Sequence, residues 1–332
     1  MSRETDIASS QAEVIVAVEP AVAGNLDLLV DVDKAWQPSD YLPNLEADGW
    51  SGEVDELRRA AHALSDDLLV VLVGDMVTEE ALPSYSMALN GLVQDDRGTA
   101  PRPWARWLRG WTAEENRHGD LLNAYLRLTG RVDMRAVELT VHHLLANGFD
   151  SGTHPHPYNL LVYTSFQERA TRISHANVGR IARRQGDATL GRICGIIAGD
   201  ESRHETFYTR MMGEVLDQDP AGGVLAFRAM LRGQIAMPGR LMSDGRDPDL
   251  FDRFAIIAQR LGVYTVSDYA GIIEHLVTTW DIAGRRVSGA AAAAQDEICR
   301  QADRYQRLAE RVARTLEQQP RRSFSWIHGR QA

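Results

Sequence analysis

The sequence has few cysteines and no long apolar run. Only Cys194 and Cys299 occur among its 332 residues, which is too few for a disulfide framework and lacks the paired spacing of thiolate zinc or redox sites. The longest branched-aliphatic run, 68–73, is far shorter than the ~20 residues of a membrane-spanning helix. Acidic residues are scattered through 1–30, so no signal or transit peptide is expected. These absences predict a cytoplasmic protein without membrane insertion.

Positive charge is also scarce. The formal net charge is -10, from 36 basic and 46 acidic residues, which argues against nucleic-acid binding because that function needs a dominant basic surface. Lys34 is the only lysine, a bias typical of a GC-rich genome that favours a bacterial source. A hydrophobic content of 44% over this length allows a large buried core.

No extended run of alternating strand residues appears, and the spacing of the apolar residues predicts an all-α fold in a single domain, 1–332. We expect an N-terminal arm at 1–50 that wraps around the molecule, a bundle core at 51–218, and additional helices with a C-terminal tail at 219–332. The tail, 323–330, has an irregular or short β pattern. The predicted helices are 53–64, 66–93 with a bend at Pro83, 104–130, 134–146, 158–185, a long helix after Asp187, 221–236, 249–261, 267–283 and 288–318.

The helix around Trp104–Tyr125 carries two charged groups on its apolar face. Glu115 and His118 continue the stripe that Trp111 begins, at helical spacings of three and four. Burying an unpaired carboxylate is costly, and such groups are normally paired or bind a metal. A glutamate and a histidine one turn apart can both reach one metal ion.

The same pair returns at Glu201 and His204, again inside an apolar stripe. Glu79 and Glu168 lie in the helices that precede the two pairs, and Glu80 is predicted to face away. One glutamate from each of two helices and Glu-x-x-His from each of two others is the ligand set of ferritin-like dimetal carboxylate bundles. Four carboxylates neutralise two divalent cations, and a set without thiolates suits iron or manganese.

Other charged residues beside these ligands have simpler interpretations. Glu114 and Asp200 are predicted to be solvent-facing acids or acids that support a ligand, with Arg117 and Arg203 as their ion-pair partners. His175, two turns after Glu168, is predicted to be a hydrogen-bonded core histidine.

Longer segments of the sequence resemble one family. WQPSDYLP, VGDMVTEEALPSY, WTAEENRHGDLLN, YTSFQERATRISH, GDESRHE and MPGRLMSDGRD are similar to segments of the soluble acyl-acyl-carrier-protein desaturases, the family of plant plastid stearoyl-ACP desaturase. The resemblance extends from about residue 30 to Gln331. It implies a homodimeric ferritin-like bundle with two iron ions per subunit. The implied reaction inserts a cis double bond into an acyl chain on acyl carrier protein, using dioxygen and two electrons from ferredoxin.

The resemblance also implies roles for individual residues. Thr171 would lie beside the oxygen-binding face, while Trp36, His118 and Asp200 would form an electron route. The implied iron ligands are Glu79, Glu115, His118, Glu168, Glu201 and His204, and alanine at Glu201 or His204 is expected to abolish iron loading at one site. The residues that would line the acyl tunnel are Met87, Ala88, Gly91, Leu92, Trp111, Thr153, Leu160 and Thr164.

Two tunnel positions depart from the plant pattern, because Gly91 replaces a threonine and Leu160 a glycine. Either neutral drift or a different chain length or double-bond position explains them. Two other functions remain open: a diiron acyl hydroxylase or oxygenase, and an iron-storage protein of the same fold. Basic residues that could contact the acidic carrier, or simply be solvated, are Lys34, Arg172, Arg180, Arg183, Arg184, Arg228 and Arg232.

Overall fold

The computed structural model describes residues 2–93, 95, 97–153, 156–316 and 318–332, without the side chains of 2–9 and 91–93. Over these ranges the chain is helical, and its β structure is limited to an isolated antiparallel bridge between Ser323 and Gln331. This confirms the predicted all-α class. The helices are α1 (Ser2–Ala17), α2 (Glu19–Ala23), α3 (Trp50–His62), α4 (Asp66–Glu79), α5 (Leu82–Val93), α6 (Pro103–Thr129), α7 (Met134–Asn147), α8 (Pro157–Arg184), α9 (Ala188–Gln218), α10 (Pro220–Gly233), α11 (Leu250–Leu261), α12 (Val266–Thr279), α13 (Gly289–Cys299) and α14 (Gln301–Leu316).

Four helices, α4, α6, α8 and α9, form the centre of the bundle. Every residue of α4 from Leu68 to Glu79 is buried, as expected for a helix that is apolar around its whole circumference. The turn between α8 and α9 is held by Asp187, which accepts a hydrogen bond from the Leu190 N–H at 2.7 Å. Tyr125 of α6 donates to the same carboxylate at 2.5 Å, so α6 is tied to the α8–α9 turn.

The predicted helix 66–93 is two helices in the structure. α4 ends at Glu79 and α5 begins at Leu82, with Pro83 in its first turn. Proline suits that position because its missing N–H has no intrahelical partner there. The break redirects the chain, and α5 thereby forms one wall of the cavity described below.

The two ends of the chain also differ from the sequence-based expectation. The N-terminal segment contains α1 and α2, and Ile15, Val18 and Val22 are buried in the core rather than only wrapped over it. The prediction of one helix over 288–318 is wrong, because α13 stops at Cys299 and α14 starts at Gln301. No described helix combines the length and apolar character needed to cross a bilayer.

Close packing of α11 on α4 makes Gly74 intolerant of a side chain. A Cβ at this position would lie 2.2 Å from Phe254 Cε2, so Gly74→Ala is expected to lower the free energy of unfolding by about 1–3 kcal/mol, the usual cost of overpacking. Gly213→Ala in α9 is the matched control, because its Cβ would meet nothing within 4 Å, and we expect it to stabilise by about 0.5–1 kcal/mol. Denaturant unfolding of both variants checks this; equal stabilities would contradict the packing.

Candidate metal centre

Six acidic and histidine side chains from the four central helices meet in the interior. α4 contributes Glu79, α8 contributes Glu168, and α6 and α9 each contribute a Glu-x-x-His pair. All six are at most 5% exposed. Because residues three apart lie on one helix face, each pair points inward together. The six are Glu79, Glu115, His118, Glu168, Glu201 and His204.

Their ligand atoms form two overlapping groups. One consists of Glu79, Glu115, His118 and Glu201, and the other replaces Glu79 and His118 by Glu168 and His204. Within each group the atoms lie within 4.8 Å of one another. Glu115 and Glu201 therefore belong to both groups and lie between the two positions that metal ions could take.

Polar atoms in this cluster lack hydrogen-bond partners although they are buried. They include Nδ1 of both histidines, both carboxylate oxygens of Glu201 and Oε1 of Glu115. His204 Nδ1 is 2.8 Å from Glu115 Oε1, but the contact lacks hydrogen-bond geometry. Unsatisfied buried groups are rare in native proteins, and oxygen and imidazole ligands suit iron or manganese. The residues present therefore fit a pair of divalent ions.

The electrostatics of the cluster lead to the same conclusion. Burial, together with the charge on Glu201, raises the pKa of Glu115 to about 7. Burial and the neighbouring Glu115 raise the pKa of Glu168 well above its usual value. Although burial alone would lower the pKa of His118, the charge of Glu115, the hydrogen bond to Asp200 and the nearby carboxylate of Glu201, 3.3 Å from Nδ1, raise it to about 10. Without metal, the crowded carboxylates retain protons that divalent cations would displace.

The outer nitrogen of each histidine contacts an acid on the opposite helix. His118 Nε2 of α6 lies 3.3 Å from Asp200 Oδ2 of α9, and His204 Nε2 of α9 lies 2.9 Å from Glu114 Oε2 of α6. Such partners hold the ring nitrogen proton and leave Nδ1 free for a metal. We call Glu114 and Asp200 the outer carboxylates. Both are buried, so a solvent-facing position is excluded for them.

The adjacent acids Glu79 and Glu80, at the C-terminal end of α4, face in different directions as the sequence predicted. Glu79 faces the cluster, whereas Glu80 accepts a hydrogen bond from Asn123 Nδ2 at 3.2 Å. His175 has a more specific contact than a core histidine needs, because its Nε2 lies 2.7 Å from Glu79 Oε1. Its seven-residue spacing from Glu168 was the available signal, but spacing within α8 could not reveal a partner on α4.

The N-terminal segment reaches the centre through Trp36. Its Nε1 donates to Asp200 Oδ2 at 2.9 Å, and its ring is stacked on His118 with centroids 6.2 Å apart and planes 5° apart. The Arg117 guanidinium carbon lies 4.9 Å from the centroid of the same ring. Trp36, Asp200 and His118 are thus one contiguous set of contacts.

A largely apolar cavity, with about 550 Å³ of empty space including its open mouth, leads to the Glu/His cluster. Four of the predicted tunnel residues line it, namely Ala88, Trp111, Leu160 and Thr164, and so does Thr171. Trp111 Nε1 donates to Glu168 Oε1 at 3.1 Å. Lining residues that the sequence analysis did not identify are Thr78, Tyr85, Leu89, Ser151, Tyr163, Gln167 and Pro238. The four cluster glutamates Glu79, Glu115, Glu168 and Glu201 form the polar side.

The other four predicted tunnel residues either do not line the cavity or lie outside the part of the chain whose side chains the structure describes. Met87 is 76% exposed and does not line the cavity, because it points away from Ala88 on α5. Thr153 is buried, but its hydroxyl shares a hydrogen bond with Ser151 and the residue does not line the cavity. The environments of Gly91 and Leu92 lie outside what the structure describes, so their predicted place in the tunnel stays a prediction.

Comparisons with known proteins agree with this geometry. A family model described as fatty acid desaturase matches residues 10–328. The chain is 51% identical over 323 residues to the chloroplastic stearoyl-[acyl-carrier-protein] 9-desaturase of Brassica napus, covering 96% of this chain and 81% of that protein. It is 52% identical over 308 residues to the corresponding enzyme of Ricinus communis, covering 91% and 77%.

A solved structure shows the same fold. The putative acyl-ACP desaturase DesA2 from Mycobacterium tuberculosis H37Rv aligns with a TM-score of 0.54 at 20% identity, covering 86% of this chain and 99% of that one. The family model and the plant relatives cover nearly the whole chain, and the chain therefore belongs to the fatty acid desaturase family.

Proposed function

We propose that the protein is an acyl-[acyl-carrier-protein] desaturase that forms a cis double bond in a saturated acyl chain held on acyl carrier protein. One observation carries the proposal: an apolar cavity ends on the buried Glu/His cluster, so an alkyl chain and a metal pair would meet there. The plant relatives are named for this reaction.

Two iron ions per chain are the proposed cofactor. Glu79 and His118 would hold one ion, Glu168 and His204 the other, and Glu115 with Glu201 would contact both. When bound, the iron pair supplies the oxidising chemistry that uses dioxygen. The overall reaction removes two hydrogen atoms from adjacent carbons, and dioxygen becomes two waters by taking these with two electrons and two protons from outside.

The cavity walls would orient the chain and exclude water. The ring of Trp111 faces the cavity, and its Nε1 donates a hydrogen bond to Glu168. Trp111 would therefore contact the acyl chain and also hold the proposed iron ligand Glu168 in position. Fixing one carbon pair beside the oxidising centre is a positional contribution to catalysis.

Trp36, Asp200 and His118 are the proposed electron route, with ferredoxin as the proposed donor. Asp200 Oδ2 accepts the hydrogen bond from Trp36 and also contacts His118. Asp200 therefore connects the half-buried indole of Trp36 to the proposed iron ligand His118 through two noncovalent contacts. The proposed role of Thr171 rests on its place in the cavity wall one turn after Glu168. Its hydroxyl donates hydrogen bonds to backbone carbonyls of its own helix. Rotation of the side chain would direct the hydroxyl hydrogen into the cavity instead.

The test uses purified protein reconstituted with ferrous iron. It is supplied with saturated acyl carrier proteins of several chain lengths, reduced ferredoxin and dioxygen, and products are analysed by mass spectrometry. Loss of two hydrogens with a cis double bond is expected. A gain of one oxygen would instead show a hydroxylase, and an unchanged chain with oxidised iron stored in a large shell would show iron storage.

Leu160 is proposed to limit the depth of the cavity, since it lines the wall and is 5% exposed. Leu160→Gly is expected to raise kcat/KM for longer chains relative to shorter ones by about 10-fold, because a single methylene in an apolar pocket is worth about 1–3 kcal/mol. Competition between acyl carrier proteins of two lengths measures the ratio. An unchanged ratio in a folded, iron-loaded variant would favour neutral drift at this position.

A homodimer is the proposed assembly. Light scattering should give twice the 36.9 kDa chain mass. A cytoplasmic location also remains a prediction.

Among the candidate carrier contacts, Arg172 pairs with Glu205 and Arg232 with Glu297, whereas Arg180 and Arg184 are exposed and are the better candidates.

A further inference from the structure

One arginine outside the metal cluster contacts both outer carboxylates. Arg203 Nη2 lies 2.8 Å from Glu114 Oε2 and 2.9 Å from Asp200 Oδ1. Its Nε donates to the Leu28 carbonyl of the N-terminal segment at 2.9 Å. A planar guanidinium with several donors can hold two acceptors at fixed positions, which an ammonium group does less well.

These contacts complete a path around the outside of the cluster. His204 contacts Glu114, Arg203 bridges Glu114 to Asp200, and Asp200 contacts His118. The two histidines belong to different ligand groups. The path therefore links the two predicted metal positions without using the shared carboxylates Glu115 and Glu201.

Charge balance makes this link important. The outer carboxylates are only 1–3% exposed, so each needs a counter-charge. Arg117 approaches Asp200 at 3.8 Å, but among the described ion pairs Arg203 is the only guanidinium at Glu114. Without Arg203, Glu114 would lose its guanidinium partner and Asp200 would keep only Arg117 at 3.8 Å, so neither carboxylate would be fixed in its position beside its histidine.

We propose that Arg203 is a positioning residue that orients both histidines and thereby sets the affinity of both metal sites at once. The proposal rests on the dimetal function proposed above. It assigns Arg117 a smaller role, confined to the site of His118, because that side chain reaches only Asp200. The two arginines are a matched pair, since each immediately precedes a histidine of a Glu-x-x-His motif.

The test measures metal binding to metal-free protein, independently of activity. His118→Ala and His204→Ala each leave one intact histidine site, and anaerobic titration with Fe²⁺ gives the dissociation constant of that site. Adding Arg203→Gln should weaken binding about 10–100-fold in both backgrounds, the usual effect of losing such a support. Adding Arg117→Gln should weaken binding only where His118 is retained.

The possible outcomes separate this proposal from the function. If Arg203→Gln weakens one site only, or neither, the coupling role is overturned while the proposed function stands. If the unaltered protein does not bind two ions, the proposed function itself fails. R203K, which keeps the charge but lacks the planar fork, is measured in the same two backgrounds. Its metal affinity should lie between that of Arg203→Gln and that of the background with Arg203 intact. If R203K leaves the affinity unchanged in both backgrounds, the proposal is also overturned. Circular dichroism of each metal-free variant checks folding.

Discussion

Glu201→Gln is expected to abolish tight binding of both metal ions and reduce desaturation to the level of the metal-free protein. Glu201 belongs to both ligand groups, and neither of its oxygens has a hydrogen-bond partner. The amide keeps the size of the side chain but removes one of the four charges that balance two divalent ions. Iron per chain after anaerobic reconstitution measures the effect.

Glu79→Gln is the matched control for this substitution. Glu79 is buried like Glu201 but belongs to one group only, so this variant is expected to retain one ion per chain. The shared position revises the sequence-based expectation, in which changing Glu201 would affect a single site. One tightly bound ion in Glu201→Gln would support the original expectation and contradict the shared position.

Metal removal is expected to reverse the dependence of stability on pH. In the metal-free fold the pKa of Glu115 is raised from 4.5 to about 7 and that of His118 from 6.5 to about 10. A raised pKa means that the folded state binds the proton more tightly than the unfolded chain. The stabilisation from each group is therefore complete below its unfolded pKa and is lost as pH rises through the folded value. Each unit of pKa difference corresponds to about 1.4 kcal/mol.

The metal-loaded protein should behave in the opposite way. Ligands must lose their protons to bind a metal, so metal affinity rises with pH, and binding stabilises the fold by mass action. We expect Tm to fall from about pH 5.5 to about pH 8 in chelator and to rise over that range with Mn²⁺ present. Thermal unfolding followed by circular dichroism provides the measurement.

Glu115→Gln isolates the source of this pH dependence. The amide does not titrate, so the fall of Tm with pH in chelator should become smaller in this variant. The same slope in the variant and the unaltered protein would show that other groups dominate. Parallel slopes with and without Mn²⁺ would contradict metal binding by these ligands.

Features that depend on one helix at a time could be predicted from the sequence. Three-residue spacing brought Glu115 with His118 and Glu201 with His204 to single helix faces, and the structure places both pairs inward. The choice of Glu79 over Glu80 followed from the same periodicity. A bend at Pro83 was predicted, but the complete break between Glu79 and Leu82 and the burial of Val18 and Val22 were not, because periodicity does not show where a helix stops or which segment covers the core.

Contacts between different helices could not be predicted from the periodicity of each helix. His175 is a buried, hydrogen-bonded histidine as predicted, but its partner could not be identified because Glu79 is on another helix. The family resemblance implied that Met87 lines the tunnel, but its position on α5 leaves it exposed. The cavity wall formed by Gln167 and Pro238 likewise depends on packing between distant segments.

The sequence by itself determined an all-helical chain with two Glu-x-x-His pairs and two further inward glutamates, because hydrophobic periodicity and side-chain direction are local properties of a helix. Only the tertiary structure decided that Glu115 and Glu201 are shared, that each outer carboxylate supports the histidine of the opposite helix, and that Arg203 joins them. Those contacts depend on the relative positions of α6 and α9, which are set by the packing of the whole bundle and leave no periodic signal in either helix.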